Sequence, residues 1–230
     1  MKIREVSTIP SDALEALLSA IPFYKAIKKQ DQQQFTKLMS FSRIIHFTSG
    51  EKVISKGDLD TWSYFIVKGQ LIVSLPNDNT NEGEGHHVNY ITPGEVLGDL
   101  SVYLEMPRTA DVHVDENCRE AILFGTDFGM FGELTDYSRI SLATKLEYYR
   151  HAIHSVRWKL EMYRSKYRSH PLADQHRGIT LYTGPKDGEQ ELRALFKQVV
   201  DLSQLLLKWN ASFGSLHFAD GEIPSPDLNL

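Results

Sequence analysis

The chain reads as a mixed β + α protein. A β jelly roll carries helices at its N-terminal side, and a long helix and a small helical region follow it. Three observations predict this. Apolar residues keep helical spacing to about residue 40, from about 43 the period shortens to that of strands, and after Thr126-Asp127 it lengthens again.

Residues 11–40 open the chain as helix. Ser11 and Asp12 can cap it, and Leu14, Leu17 and Leu18 follow at helical spacing. Ile21-Pro22-Phe23 breaks that pattern, and Phe35, Leu38 and Met39 resume it. Seven β-rich runs come next, at Arg43–Phe47, Lys52–Ser55, Trp62–Val67, Gln70–Leu75, His87–Ile91, Thr109–Val114 and Arg119–Phe124. Gly50, Gly57-Asp58, Gly69, a polar loop at 76–85 and Pro93-Gly94 separate them. Many short strands at close spacing predict a sandwich, jelly roll or barrel. The polar loop reads as a mobile hairpin tip.

Residues 136–168 carry the strongest periodicity. Leu142, Leu146, Tyr149, Ile153, Val156, Leu160, Tyr163 and Tyr167 alternate spacings of four and three, a heptad seam. A seam of about 26 residues would extend ~39 Å, more than one small β domain covers. It therefore predicts a homodimer through residues 142–167; a helix packed on its own β domain would need a shorter stripe. His170-Pro171 ends this helix, and a short irregular segment with a possible strand at Ile179–Tyr182 follows. A second amphipathic helix spans about 188–210, and an acidic, proline-containing tail, 220–230, is expected to be poorly ordered. The expected division is 1–135 as a sensor domain, 136–168 as the dimerisation helix and 169–230 as a small helical region.

Composition narrows the function classes. With 230 residues and a formal net charge of −5, bulk charge does not favour nonspecific nucleic-acid binding. The single cysteine, Cys118, excludes an internal disulfide framework and suits a reducing compartment; it reads as a small buried residue. No signal-peptide-like apolar stretch opens the chain and no run is long enough to span a bilayer, so the expectation is a cytoplasmic protein with no membrane contact. His151 and His154 are one helical turn apart and read as a solvated face before a metal pair; His86-His87 lacks the glutamate spacing of a metal-binding β roll. Arg150, Arg157, Lys159, Arg164, Lys166 and Arg168 make the long helix basic. They read as a solvated flank of the seam, with an acidic-partner surface as the alternative.

The densest chemistry lies in Gly98-Asp99-Leu100-Ser101, answered by Pro107-Arg108-Thr109-Ala110. A small residue and a carboxylate open one helical turn, and a lone arginine returns beside a proline-set bend. Backbone N–H groups and the planar fork of an arginine can hold an anion, and a carboxylate can accept from a sugar hydroxyl. The pair suits a small phosphorylated nucleotide. In a plainer reading Asp99 only caps a short helix and pairs with Arg108.

On these residues, together with Gly50-Glu51, Gly57-Asp58 and Tyr64 to Gly69, the chain resembles the cyclic-nucleotide-binding domains over roughly residues 20–168. The resemblance implies that Arg108 holds a cyclic phosphate and that Gly98, Leu100 and Ser101 bring backbone N–H groups to phosphate or ribose. It also implies that Thr109, beside the small Ala110, contacts phosphate or a guanine amino group. The implied ligand is cAMP or cGMP, with Arg108-Thr109 a hint toward cGMP and no other cofactor. One position departs: Asp99 stands where the family has glutamate, one methylene longer. Losing that charge-assisted bond to the ribose would cost ~1.5–3 kcal/mol, so weak binding, another ligand or none stay open.

Residues 171–230 do not resemble the winged helix-turn-helix of bacterial regulators in this family, which disfavours DNA as a partner. No nucleophile, metal cluster or paired carboxylates point to catalysis. The expectation is a non-enzymatic regulatory sensor that signals to an unknown protein partner. The alternatives are a transcriptional regulator with a diverged DNA-binding region and a ligand-free structural dimerisation module.

Overall fold

The computed structural model describes residues 1–19, 21–75 and 86–215. The expected hairpin tip at 76–85 and the tail at 220–230 lie outside them. In order come β1 (Lys2–Glu5), α1 (Ser11–Ser19), α2 (Pro22–Gln30), α3 (Gln32–Ser40), β2 (Ser42–Thr48), β3 (Lys52–Ile54), β4 (Trp62–Lys68), β5 (Leu71–Leu75) and β6 (His86–Ile91). Then follow β7 (Val96–Leu97), α4 (Asp99–Leu104), β8 (Asp111–Val114), β9 (Glu120–Asp127), α5 (Leu142–Lys166) and α6 (Glu189–Ser215).

The strands form two antiparallel sheets, β1-β2-β9-β4-β7 and β3-β8-β5-β6. Alternation along each strand supplies the jelly-roll core. Ile45 and Phe47 of β2, Ile66 of β4, Leu71 of β5, Val112 and Val114 of β8, and Ala121 and Leu123 of β9 meet in one cluster. The opposite face of the larger sheet presents Ile44, Phe65 and Phe124 to the helices. Gly69 turns β4 into β5 at φ 89°, where a Cβ would lie 2.5 Å from the Glu120 carbonyl oxygen. Cys118 is half-buried at the edge of the inter-sheet cluster.

Side-chain caps and buried hydroxyls fix how the helices join the roll. Asp31 ends α2 and caps α3, its Oδ1 accepting from the backbone N–H groups of Gln33 and Gln34 at 3.0 Å. Tyr24 bonds Thr126 of β9, and the hydroxyls of Thr126 and Ser42 lie 2.8 Å apart. Burial pushes the Tyr24 phenol far up, so it stays neutral. Ser141 caps α5, which therefore begins at Leu142 and not near 136. From the first turn of α5, the buried Lys145 ammonium donates to the carbonyls of Glu133 at 2.5 Å and Asp136 at 2.7 Å, pinning the entry segment before it.

The heptad seam is filled from within the chain. Leu146, Ile153, Val156 and Leu160 are buried in one cluster with Leu192, Leu195, Val199, Leu202, Leu206 and Trp209 of α6. Tyr149 meets Phe196 at 5.6 Å between ring centroids and Tyr163 meets Trp209 at 5.7 Å, so the two helices run parallel. This corrects the expectation that residues 142–167 offer their apolar face to a second copy: α6 supplies the same heptad-compatible surface intramolecularly. The basic residues of α5 are corrected as well. Arg150 pairs with Asp187 and Glu191, Arg157 donates to the carbonyls of His176 and Ile179, and Arg164 pairs with Glu161 and Asp174. These three tie down the return segment that parallel helices require, whereas Lys166 and Arg168 are exposed, as a solvated flank would be. Within that segment Ile179–Tyr182 forms no strand, because side chains of Arg157 and Gln198 take the carbonyls of Ile179 and Thr180.

Candidate functional site: a cavity closed by the C-terminal helices

The residues between β7 and β8 are placed by two turns. Gly98 precedes α4 at φ 77°, and a Cβ there would lie 2.6 Å from Arg108 Nη1 and 2.8 Å from the Trp62 carbonyl oxygen. Only glycine permits both the left-handed backbone and the close passage of the guanidinium. On the other side, the Arg108 N–H donates to the Asp58 carbonyl at 2.9 Å, and the Gly57 N–H donates to the Arg108 carbonyl at 2.9 Å. The Gly57-Asp58 turn thus holds the Pro107–Thr109 bend from outside.

Arg108 is buried and almost fully engaged. Its Nε donates to Asp60 Oδ2 at 3.1 Å and its Nη2 to Asp60 Oδ1; Nη1 reaches the Gly98 carbonyl at 2.5 Å, and Nη2 the Trp62 carbonyl at 2.5 Å. A guanidinium has five N–H donors, so one Nη1 donor remains after these four bonds among the described residues. The fork is fixed in position and orientation before any ligand arrives.

Asp99 does not pair with Arg108, which corrects the plainer reading of the sequence. Its carboxylate takes Lys159 of α5, with Nζ 3.0 Å from Oδ2 and 3.3 Å from Oδ1, and Nζ also donates to the Val96 carbonyl at 2.9 Å. The Asp99 side chain is only 4% exposed, so this pair is largely shielded from water. Behind it, burial and then the charge of Asp99 push the Tyr103 phenol well up.

All seven sequence-predicted residues, Gly98, Asp99, Leu100, Ser101, Arg108, Thr109 and Ala110, line one cavity of ≈ 640 Å³. Its further walls come from the β5–β6 hairpin through Val73, Asn89 and Ile91, from α5 through Lys159 and Tyr163, and from α6 through Leu206 and Asn210. Asp60, Lys159 and the α6 residues were not found by sequence reasoning. Asp60 sits in a turn with no motif of its own, and Lys159 looked like one basic residue among six. Among the described residues, no group of three or more His, Cys, Asp or Glu side chains gathers as a metal site would require. No described helix is long and apolar enough to cross a membrane.

Residues 44–131 match the family model of the cyclic nucleotide-binding domain. The chain is 27% identical over 100 residues to the cAMP-dependent protein kinase type II regulatory subunit of Drosophila melanogaster, a match over 43% of this chain and 24% of the fly protein. Among solved structures it is similar to the regulatory domain of Toxoplasma gondii PKA with cAMP, at 19% identity and a TM-score of 0.41 over 54% of this chain and 48% of that one. It is also similar to the regulatory subunit of a cAMP-independent protein kinase A from Trypanosoma brucei, at 22% identity and a TM-score of 0.40 over 50% of this chain and 39% of that one. The chain thus spans less than half the length of these relatives.

Proposed function

We propose that the chain is a non-enzymatic sensor that takes cAMP or cGMP into this cavity and reports occupancy through α5 and α6. Support comes first from the pre-set guanidinium of Arg108, which faces the cavity beside Thr109 and Ala110. The observation that carries the reading is the Lys159–Asp99 pair. Asp99 is the carboxylate that opens α4 at the cavity wall, where it can accept from a ribose hydroxyl, and it is already joined to α5. A sugar hydroxyl that bonds Asp99 draws on the carboxylate that holds Lys159 and so weakens that pair, which changes the seating of α5 and of α6 packed along it. Ligand and latch therefore compete for one carboxylate, and occupancy shifts the population of the docked helices. The surface so altered would meet a protein partner, in a cytoplasmic setting.

Calorimetric titration with cAMP and cGMP tests this, with Arg108→Ala as the control. Saturable heat with one of them, lost in the variant, is the expected result. No heat from either at ~1 mM, about −4.1 kcal/mol of binding, would overturn it in favour of a ligand-free structural module.

A second reading has its own observation. The two buried cations of the cavity each already have a carboxylate, Arg108 with Asp60 and Lys159 with Asp99. A neutral nucleoside would enter without adding an unbalanced buried charge. Adenosine and guanosine belong in the same titration, and binding of either in preference to its cyclic phosphate would favour this reading.

A further inference from the structure

A second cavity, of ≈ 880 Å³, lies on the helix-facing side of the larger sheet, between α1, α2, the β6–β7 turn and α5. Phe23, Phe65, Tyr103, Phe128, Tyr148 and Trp158 give it aromatic walls. It adjoins the first cavity at Val96, Trp158 and Lys159, but none of Arg108, Thr109 and Ala110 lines it. The sheet is left open there. Phe124 of β9 is fully buried, whereas Phe65, its partner across the β4–β9 pair, and Val67 are only half-buried.

The charged groups of this second cavity are already matched. Glu95 Oε2 accepts from the Thr92 N–H at 2.7 Å and from its hydroxyl at 2.9 Å, and Lys159 is held by Asp99 at 3.0 Å. His151 Nδ1 lies 2.9 Å from the Glu147 carbonyl oxygen, and His154 is exposed. Ser63 is different. It shares the helix-facing row of β4 with Phe65 and Val67, and it lines the cavity with them. It is only 2% exposed, yet its Oγ has no hydrogen-bond partner among the described residues. A buried hydroxyl left unpaired costs free energy that a ligand atom bonding it would recover.

We infer that this cavity is a second ligand site, and that it takes a flat, neutral aromatic molecule whose polar edge bonds Ser63 Oγ. Aromatic walls offer such a molecule stacked and edge-on contacts, and the volume is that of a small-molecule site. A charged ligand would enter without a free counter-charge and would pay to leave water. The site stands apart from the nucleotide reading: it uses neither the Arg108 guanidinium nor the Asp99 carboxylate.

The test titrates the full chain with three fluorescent probes: naphthalene, 2-naphthol, which adds a hydroxyl, and 2-naphthoate, which adds a charge. Wild type is expected to bind 2-naphthol saturably and to bind 2-naphthoate at least about tenfold more weakly. In Ser63→Ala the affinity for 2-naphthol relative to naphthalene should fall about fivefold, the worth of one hydrogen bond, with naphthalene itself little changed. A purely structural role for Ser63 would leave that ratio alone. Should Ser63→Ala fail to fold, judged by its melting curve, Ser155→Phe fills the same cavity from α5 and should weaken naphthalene and 2-naphthol alike by about tenfold. No saturable binding of 2-naphthol, equal binding of 2-naphthoate, an unchanged ratio in folded Ser63→Ala or unchanged binding in Ser155→Phe each overturns the inference. None of these results bears on whether cAMP or cGMP enters the first cavity.

Discussion

Lys159 Nζ stands 3.0 Å from Asp99 Oδ2, and this contact joins the long helix to the mouth of the cavity. It links residues 60 positions apart in sequence, and both partners are mostly buried, with side chains 18% and 4% exposed. Much of what the molecule is expected to do under mutation follows from it.

Lys159→Ala leaves the Asp99 carboxylate buried without its cation. Removing one partner of a buried pair costs about 3 kcal/mol, whereas removing both costs far less. Thermal melts should show a large drop for Lys159→Ala and a partial recovery in Lys159→Ala with Asp99→Asn. Additive losses in the double variant would count against the pair as a coupled unit.

Gly98→Ala should disable the arginine without touching it. The new Cβ would press on Arg108 Nη1 from 2.6 Å and on the Trp62 carbonyl from 2.8 Å, in a backbone region side chains avoid. Affinity for a phosphate-bearing ligand should fall by about tenfold or more, toward the loss seen in Arg108→Ala. A Gly98→Ala protein that binds as wild type would show that the guanidinium is not held as described.

The filled seam predicts both a stability effect and a mass. Leu160 and Leu202 are fully buried on facing helices, so truncation of either to alanine should cost about 2–5 kcal/mol. The full chain should sediment as a 26.2 kDa particle. A particle of twice that mass that Leu160→Lys dissociates would show that α6 yields the seam to a second copy.

Alkaline unfolding should be steep. Burial raises the phenols of Tyr24, Tyr103, Tyr148 and Tyr149 above their ordinary value. The unfolded chain then releases protons first as pH passes about 10, where tyrosine normally titrates. Their contribution is complete below that pH and is lost as pH rises through the folded-state values. Phenolate absorbance should show these four titrating late and together with loss of helix; early, independent titration would contradict their burial.

The strands of the roll were legible because one face of each packs against the other sheet and alternation records it. Ile45 and Phe47 inside, with Ile44 outside, is a pattern a sequence cannot conceal. β1 was not legible, since all four of its residues are exposed and nothing alternates. The Gly98–Ala110 residues were legible because a glycine at positive φ, a bend and an arginine lie within one short stretch. Asp60, 48 positions from Arg108, was not, because an ion pair leaves no periodic trace.

The amino-acid sequence by itself determined the order of helix, roll and helix, the composition of the cavity's anion wall and the existence of a heptad seam. Those are consequences of local spacing and of which side chains avoid water. Only the tertiary structure decided what meets the seam, which carboxylate holds Arg108, and that Asp99 belongs to Lys159. A heptad stripe specifies a complementary apolar partner but not whose chain supplies it, and a charge specifies an opposite charge but not its address. Folding brought α6 to the first and α5 to the second, and so turned a binding roll into a cavity with a helical wall.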